Sequence, residues 1–232
     1  MSPVRAVLLD ALGTLLALEP PAPRLRRELA ARGVEVGAEE AERAVRAEIA
    51  YYREHNLEAG DRAALARLRW RCAEVLHDAL GAGTVHDAHD ALLAALRFTA
   101  YPDVPPALER LRAAGLRLVV VSNWDVSLHD RLAETGIAER VDGAVASAQL
   151  GVAKPDPAIF RHALALAGVQ PAEAVHAGDS PEADVAGARA VGMTPVLVVR
   201  EGAAPGDDGV RTIRSLAELP ALVRSDPDQS AP

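Results

Sequence analysis

Short apolar runs alternate with helical segments along most of this chain, and this alternation restricts the fold more than any other feature. Continuous apolar runs of this length are typical of strands that are buried on both faces of a parallel sheet. The runs are Val4 to Leu9, Leu116 to Val121, Gly143 to Ser147, Ala174 to Ala177 and Pro195 to Val199. Helices are predicted over Pro105 to Ala114, Pro157 to Ala167 and Pro181 to Val191, and a glycine follows each. The sequence therefore predicts an α/β fold with a doubly wound parallel sheet.

Residues 16–100 interrupt this alternation. They contain no candidate strand, and their apolar residues recur at helical spacing, as Leu65, Leu68 and Cys72 do. Breaks near residues 33–37, 56–60 and 81–84 predict about four helices in a small bundle. We therefore expect an α/β core domain of residues 1–15 and 101–224, an inserted helical domain of residues 16–100, and a disordered tail of residues 225–232.

Composition excludes several classes of protein. The net charge of −8 argues against nucleic acid or an anionic membrane as a partner. The longest apolar runs are too short to span a bilayer, and the N-terminus does not resemble a signal peptide. Cys72 is the one cysteine, so no intrachain disulfide can form, and a reducing compartment is compatible with the sequence. These features predict a cytoplasmic protein.

Polar residues stand where several of the predicted strands end. Asp10, Ser122 and Asp179 each follow an apolar run, and Lys154, the one lysine of the chain, precedes a predicted helix. In open α/β sheets, ligands bind outside the carboxyl ends of the strands. We therefore expect these side chains to lie close together and to form a functional site.

Four motifs carry these residues in a fixed order, and together they resemble the haloacid dehalogenase-like (HAD) hydrolase superfamily. The motifs are Asp10-Ala11-Leu12-Gly13-Thr14, Ser122-Asn123, Lys154-Pro155-Asp156 and Gly178-Asp179-Ser180-Pro181-Glu182-Ala183-Asp184. Most members of the superfamily are magnesium-dependent phosphatases. The resemblance implies a Rossmann-like core, and it implies that the inserted helical domain is a cap that closes over the active site and sets the choice of substrate.

The resemblance also implies a role for each motif residue. Asp10 would be the nucleophile that forms an aspartyl-phosphate, and Ser122 and Asn123 would bind the phosphoryl group. Lys154 would bind the same group and offset the charge that collects in the transition state. Mg²⁺ would be held by Asp10, Asp179 and Asp184, together with the backbone carbonyl of Leu12. An alternative role for Asp184 is to orient Lys154.

Leu12 departs from the pattern of the superfamily, whose phosphatases carry a second aspartate there. That aspartate protonates the leaving oxygen and later activates water, and a leucine can do neither. Loss of such a group costs about 10²–10⁴-fold in rate. Three interpretations stay open: the substrates have good leaving groups, catalysis is lost and binding is kept, or a cap residue supplies the proton. In the third case the candidates are Tyr51, Tyr52, Arg53 and His55.

The leading hypothesis is therefore a magnesium-dependent phosphatase of a small phosphorylated metabolite. The alternatives are a catalytically impaired binding or regulatory protein and a 2-haloacid dehalogenase. A dehalogenase needs no metal, and the acidic pair Asp179 and Asp184 argues against it. The phosphonate hydrolase of the superfamily needs a cap lysine, which this cap lacks. The histidines show no convincing cluster.

Overall fold

The computed structural model describes residues 3–202 and 209–223, and within them a parallel sheet of six strands forms the centre of the protein. The strands of the described residues are β1 (Ala6–Leu9), β2 (Leu16–Leu18), β3 (Phe98–Ala100), β4 (Arg117–Ser122), β5 (Gly143–Ala146), β6 (Ala174–Gly178), β7 (Thr194–Val198) and β8 (Arg211–Ile213). The order in the sheet is β5-β4-β1-β6-β7-β8, and every neighbouring pair is parallel. The fold is thus the predicted α/β class. The predicted disordered tail, residues 225–232, lies outside the described residues.

Helices cover both faces of this sheet, which explains why its strands are apolar without alternation. The helices of the described residues are α1 (Pro21–Ala30), α2 (Ala38–His55), α3 (Arg62–Leu80), α4 (Val85–Ala95), α5 (Val104–Ala113), α6 (Leu128–Glu134), α7 (Ser147–Leu150), α8 (Pro157–Ala167), α9 (Gly187–Ala190) and α10 (Leu219–Leu222). Val7 and Leu9 of β1 belong to the apolar cluster that includes residues of α5, whereas Ala6 and Leu8 belong to the cluster that includes residues of α8. None of the described helices is both long and apolar enough to cross a membrane.

The predicted strands agree with the structure to within a few residues, and two differences concern the end of the chain. The predicted helix Pro181 to Val191 begins as a π-helical segment, Pro181–Ala186, and continues as α9. Strand β8 was not predicted, because two of its three residues are exposed and it lies at the edge of the sheet.

Four helices, α1 to α4, occupy most of residues 16–100 and pack around an apolar cluster of their own. The prediction that this segment contains no strand is wrong. Strand β2 pairs with β3 in antiparallel orientation, with Leu16 opposite Ala100 and Leu18 opposite Phe98. The chain therefore enters and leaves the helical segment through a two-stranded ribbon.

One arginine of the α/β core holds both ends of this ribbon. Nη2 of Arg200 donates to the carbonyl oxygen of Thr14 at 2.6 Å, and Nη1 donates to both carboxylate oxygens of Asp103 at 2.8 and 2.7 Å. The Arg200 guanidinium also lies 4.0 Å from the centre of the Tyr101 ring. Thr14 precedes β2, and Tyr101 and Asp103 follow β3, so one side chain fixes the point where the two halves of the ribbon meet the sheet.

Candidate active site

Asp10 lies at the centre of the site, directly after β1. Its carboxylate is buried, and its Oδ1 accepts hydrogen bonds from Lys154 Nζ at 2.6 Å and from Ser122 Oγ at 3.1 Å. Ser122 is the last residue of β4, which is the parallel neighbour of β1. The carboxyl ends of neighbouring parallel strands meet at one edge of the sheet, so the sequence prediction that these residues lie together is supported by the geometry.

Lys154 reaches Asp10 from a loop that Asn123 holds in place. The Lys154 backbone N–H donates to Asn123 Oδ1 at 2.7 Å, and Asn123 Nδ2 donates to the Lys154 carbonyl at 3.0 Å. The side-chain amide of Asn123 is therefore engaged with the lysine backbone. Its predicted role in binding a phosphoryl group stays a prediction and would fall to its backbone N–H.

Lys154 also donates to a second carboxylate, Asp184 Oδ1, at 2.6 Å. Burial alone would lower the pKa of Lys154, but the charges of Asp10 and Asp184 outweigh burial and raise that pKa, so the ammonium form is favoured. Burial opposes ionisation of Asp184 as well, yet Lys154 and His176 hold the pKa of Asp184 below its usual range. For Asp10, burial and the charge of Asp184 raise the pKa, and Lys154 offsets only part of the rise.

His176 fixes the position of the Asp184 carboxylate. This histidine is fully buried in β6, and its Nε2 donates to Asp184 Oδ1 at 2.8 Å; the backbone N–H of Ser180 donates to Asp184 Oδ2 at 3.0 Å. His176 was not identified from the sequence as a residue of the site. A histidine inside an apolar strand needs a polar partner when it is buried, and that signal could have identified it. Both oxygens of Asp184 are engaged, which favours a role in orienting Lys154.

Asp179 lies on the side of the site that faces solvent, and it is exposed. Gly13 of the first motif has φ of +81°, and a Cβ on it would lie 2.1 Å from Asp179 Oδ2. Only glycine therefore allows the loop after Asp10 to lie so close to this carboxylate. Partial burial, followed by the charges of Asp10 and Asp184, raises the pKa of Asp179 to about 7.

These carboxylates fit a hard divalent cation. Oxygen atoms of Asp10, Asp179 and Asp184 lie within 4.8 Å of one another, and carboxylate oxygens are the ligands that Mg²⁺ prefers. Besides burial, the charges of Asp10 and Asp184 raise the pKa of Asp179, and a cation would neutralise these charges. The predicted participation of the Leu12 carbonyl stays a prediction.

The side chain of Leu12 faces a cavity of about 300 Å³ between the edge of the sheet and the helical segment. Leu12 is 38% exposed, which is unusual for a leucine next to buried strands. Asn123 lines the same cavity, so the cavity begins beside the candidate reaction centre. Its walls are mainly apolar and include Leu18, Leu93, Leu96, Phe98 and Trp124.

Three polar residues that the sequence analysis did not single out, Asp125, Ser127 and Glu48, also line this cavity. Tyr52 Oη donates to Asp125 Oδ2 at 2.7 Å, and the Ser127 N–H donates to Asp125 Oδ1 at 2.6 Å. Glu48 is buried, and burial raises the pKa of its carboxyl to about 7. Asp125 follows Ser122 by three residues, so the rule of polar residues at strand ends could have identified it; Glu48 gave no such signal, because it lies inside a helix.

Two of the four cap residues considered as proton donors line this cavity, namely Tyr52 and Arg53. The other two, Tyr51 and His55, are not among its lining residues. Their rings stack on each other with centres 4.1 Å apart and planes 18° apart. Tyr52 is already engaged with Asp125, and burial, followed by the charge of Asp125, raises the pKa of the Tyr52 phenol well above its usual value. No member of the set is therefore an obvious substitute for the missing aspartate.

The parallel sheet, the buried lysine–aspartate pair and the inserted helices are those of a hydrolase. The chain belongs to the family of haloacid dehalogenase-like hydrolases, whose family model matches residues 4–192. It is similar to "Haloacid dehalogenase-like hydrolase domain-containing protein 3" of Mus musculus, with 47% identity over 104 residues, 45% of this chain and 41% of the relative. It is also similar to "Phosphoserine phosphatase" of Thermus thermophilus, with 38% identity over 112 residues, 48% of this chain and 45% of the relative. The matched stretches thus span less than half of each of these curated relatives.

A solved structure extends the likeness over nearly the whole chain. The 2-haloacid dehalogenase from Pseudomonas syringae pv. Tomato DC3000 superimposes with a TM-score of 0.67 and 27% identity, covering 95% of this chain and 98% of the other. The family therefore includes relatives named for both chemistries that the sequence left open.

Proposed function

We propose that this protein is a magnesium-dependent phosphatase of a small phosphorylated metabolite, with Asp10 as the nucleophile. The observation that carries the proposal is the position of the Asp10 carboxylate, fixed through Oδ1 by Lys154 and Ser122 and flanked on its open side by Asp179. A likeness to relatives that are named as phosphatases supports it.

The hydrogen bonds to Asp10 suit an attack on phosphorus. Within the described part of the chain, the side-chain hydrogen bonds to Asp10 go to Oδ1, so Oδ2 is left to form the bond to phosphorus. The bond from phosphorus to the ester oxygen breaks as the aspartyl-phosphate forms, and water later releases phosphate from Asp10. Lys154 and the Ser122 hydroxyl stabilise negative charge on the phosphoryl oxygens.

Asp10, Asp179 and the Leu12 carbonyl would hold Mg²⁺, whose charge neutralises the phosphate and these carboxylates. Asp184 would act on Lys154, since both of its oxygens are already engaged. Leu12 cannot supply a proton to the departing oxygen. The substrates that suit this site best are therefore phosphates whose leaving groups need little protonation, such as acyl or aryl phosphates.

A screen of acyl, aryl and alkyl phosphates and of 2-haloacids, each with Mg²⁺ and with excess chelator, tests the proposal. We expect phosphate release that requires Mg²⁺, is fastest for acyl and aryl phosphates, and is lost in Asp10→Asn. Asp78→Asn, which removes an exposed carboxylate of α3, is the matched control and should retain the activity. Phosphate release that persists in Asp10→Asn would contradict the assignment of the nucleophile.

A second candidate, a 2-haloacid dehalogenase, is favoured by one observation. Leu12 removes the group that a phosphatase uses as an acid, and a halide leaves without a proton. In that reaction Asp10 would attack carbon, and the carbon–halogen bond would break. The same screen decides between the two, because halide release in excess chelator, without phosphate release in Mg²⁺, establishes the dehalogenase.

A further inference from the structure

Two of the three arginines that line the cavity make no side-chain hydrogen bond or ion pair with another described residue, whereas the third, Arg131, is paired with Glu134. Arg53 of α2 and Arg69 of α3 both line the cavity, and neither side chain makes a hydrogen bond or an ion pair there. Two neighbouring arginines, in contrast, form ion pairs: Arg62 binds Asp130 and Arg71 binds Glu58. Arg53 and Arg69 are therefore free to bind a ligand.

Arg53 and Arg69 lie at nearly the same level along the axes of the two helices. Helices α2 and α3 pack against each other and are joined by a short connection, which makes them antiparallel. The Glu48 carboxyl contacts the Cys72 thiol, which fixes their register. Arg53 lies five residues beyond Glu48, and Arg69 lies three residues before Cys72, so at 1.5 Å per residue their levels differ by about 3 Å. Both residues therefore leave the helix pair at similar levels, and both line the cavity.

The charge of the cavity favours an anion there. Against Arg53 and Arg69 stand Asp125, which accepts hydrogen bonds from Tyr52 and Ser127, and Glu48. Asp130, whose pKa Arg69 helps to lower, is itself paired with Arg62. Burial raises the pKa of Glu48 to about 7, so near neutral pH a large fraction of this carboxyl is uncharged. The cavity is thus a positively charged region on a chain whose net charge is −8. An ammonium group would be disfavoured beside the arginines.

We propose that Arg53 and Arg69 bind a carboxylate at the far end of the substrate, and that the substrate is a phosphate ester whose apolar body fills the cavity between this carboxylate and the phosphate. This rests on the proposed phosphatase function, which places the phosphate at Asp10. Guanidinium groups bind carboxylates through paired, charge-assisted hydrogen bonds. The apolar walls suit a hydrocarbon or aromatic body, and about 300 Å³ is at the small end of ligand pockets, so the body is of the order of one ring.

Three aryl phosphates of similar size test the proposal: phenyl phosphate, 4-carboxyphenyl phosphate and 4-(aminomethyl)phenyl phosphate. We expect kcat/KM to be highest for the carboxylated ester. In Arg69→Gln and Arg53→Gln the ratio of kcat/KM for the carboxylated ester to that for phenyl phosphate should fall by about 10-fold or more. Arg67→Gln is the matched control, because Arg67 is an exposed arginine of the same helix that does not line the cavity, and it should leave this ratio unchanged.

Calorimetric binding of the same three esters to Asp10→Asn, in Mg²⁺, separates this proposal from the proposed function. Tighter binding of the carboxylated ester that weakens about 10-fold when Arg69→Gln is added supports the arginine pair even if the native protein hydrolyses none of the esters. Equal binding of the three esters, tighter binding of the ammonium ester, or the same weakening from Arg67→Gln would overturn the proposal.

Discussion

Leu12 is the residue at which a single substitution addresses the chemistry most directly. Its side chain is 38% exposed and faces the cavity, so a carboxylate there would keep contact with water and avoid most of the cost of burial. We expect Leu12→Asp to raise the rate of phosphate ester hydrolysis, by up to about 10²–10⁴-fold for alkyl phosphates, whose leaving groups need a proton. The gain should be smallest for acyl and aryl phosphates.

Leu12→Asn is the matched control for this gain, because asparagine is polar and similar in size to aspartate but transfers no proton. The rates and the free energy of unfolding are measured for both variants. A folded Leu12→Asp enzyme that gains nothing, or that gains equally on every leaving group, would show that the missing aspartate does not limit the reaction.

Glu48 gives a second prediction, which concerns stability and pH. Burial raises the pKa of this carboxyl to about 7 in the folded protein, above the value of about 4.3 expected for an unfolded chain. The folded state therefore binds more protons than the unfolded state between about pH 4 and pH 7, and stability contributed by Glu48 falls as pH rises through that window. Glu48→Gln should thus be more stable than the native protein above pH 7, by roughly 3 kcal/mol, and nearly equal to it at pH 4.

Urea unfolding of both proteins from pH 4 to pH 9 measures this difference. Glu54→Gln, an exposed position on the same helix, serves as the control and should show little pH-dependent difference. A stability difference for Glu48→Gln that is the same at every pH would mean that the carboxyl is not held in its neutral form.

Single residues also show what sequence patterns can and cannot predict about this site. Asp10, Ser122 and Asp179 could be placed together, because strand ends meet at one edge of a sheet whatever its packing. Lys154 and Asp184 joined them only through the resemblance of their motifs to the superfamily. Glu48 could not be placed, because it lies inside a helix and faces the cavity only through the packing of α2 on α3. Such contacts depend on the docking of whole elements, which a local pattern does not encode.

At the scale of elements, the connection between α2 and α3 docks on the α/β core. The Val126 N–H donates to the Ala59 carbonyl at 3.0 Å, Arg62 forms an ion pair with Asp130, and Tyr52 binds Asp125. These contacts lie beside the cavity and hold the helical segment against the sheet.

At Gly60 the connection between α2 and α3 closely approaches the backbone of the α/β core. A Cβ at Gly60 would lie 2.5 Å from the carbonyl oxygen of Ala148, a backbone atom that cannot rotate away. We expect Gly60→Ala to cost about 1–3 kcal/mol in the free energy of unfolding or to push the helical segment away from the core, and to raise KM more than it lowers kcat.

Gly37→Ala is the matched control for Gly60→Ala. A Cβ at Gly37 would meet the flexible end of the Glu40 side chain at 3.2 Å, so the neighbour can move. Chemical denaturation and steady-state kinetics on both variants check the prediction. If Gly60→Ala were as stable and as active as Gly37→Ala, the docked contact would have no role in the working enzyme.

The elements that the sequence failed to predict are short and depend on distant partners. Strands β2 and β3 have three residues each and pair across about eighty positions of sequence. Neither has the length or the alternation of a recognisable strand. The strands of the central sheet were predictable because burial on both faces marks them directly in the sequence.

At the scale of the whole molecule, the ribbon of β2 and β3 allows the helical segment to be removed. The Glu19 N–H donates to the Arg97 carbonyl at 2.9 Å, so the chain is closely paired just where the helices begin. Replacing residues 20–96 by Asn-Gly would close the ribbon as a two-residue β-hairpin. Because the helical segment has an apolar cluster of its own, we expect the remaining core to fold and to retain Mg²⁺ binding while losing its preference among substrates.

Circular dichroism, a Mg²⁺ titration followed by thermal unfolding, and the substrate screen check this prediction. Asp179→Asn in the shortened chain is the control for binding at the site. A shortened protein that does not fold would show that the helical segment is part of the same cooperative unit, and one with an unchanged substrate profile would show that selectivity lies in the α/β core.

The whole chain contains one side-chain amine, and that amine is the one bonded to Asp10 and Asp184. Protein produced with ¹⁵N- and ¹³C-labelled lysine would therefore carry a single labelled residue, situated at the reaction centre. Its Nζ and Cε resonances need no assignment, because no other lysine contributes to the spectrum. A change of ligand or of protonation at Asp10 or Asp184 would therefore be observed directly as a shift of the Lys154 resonances.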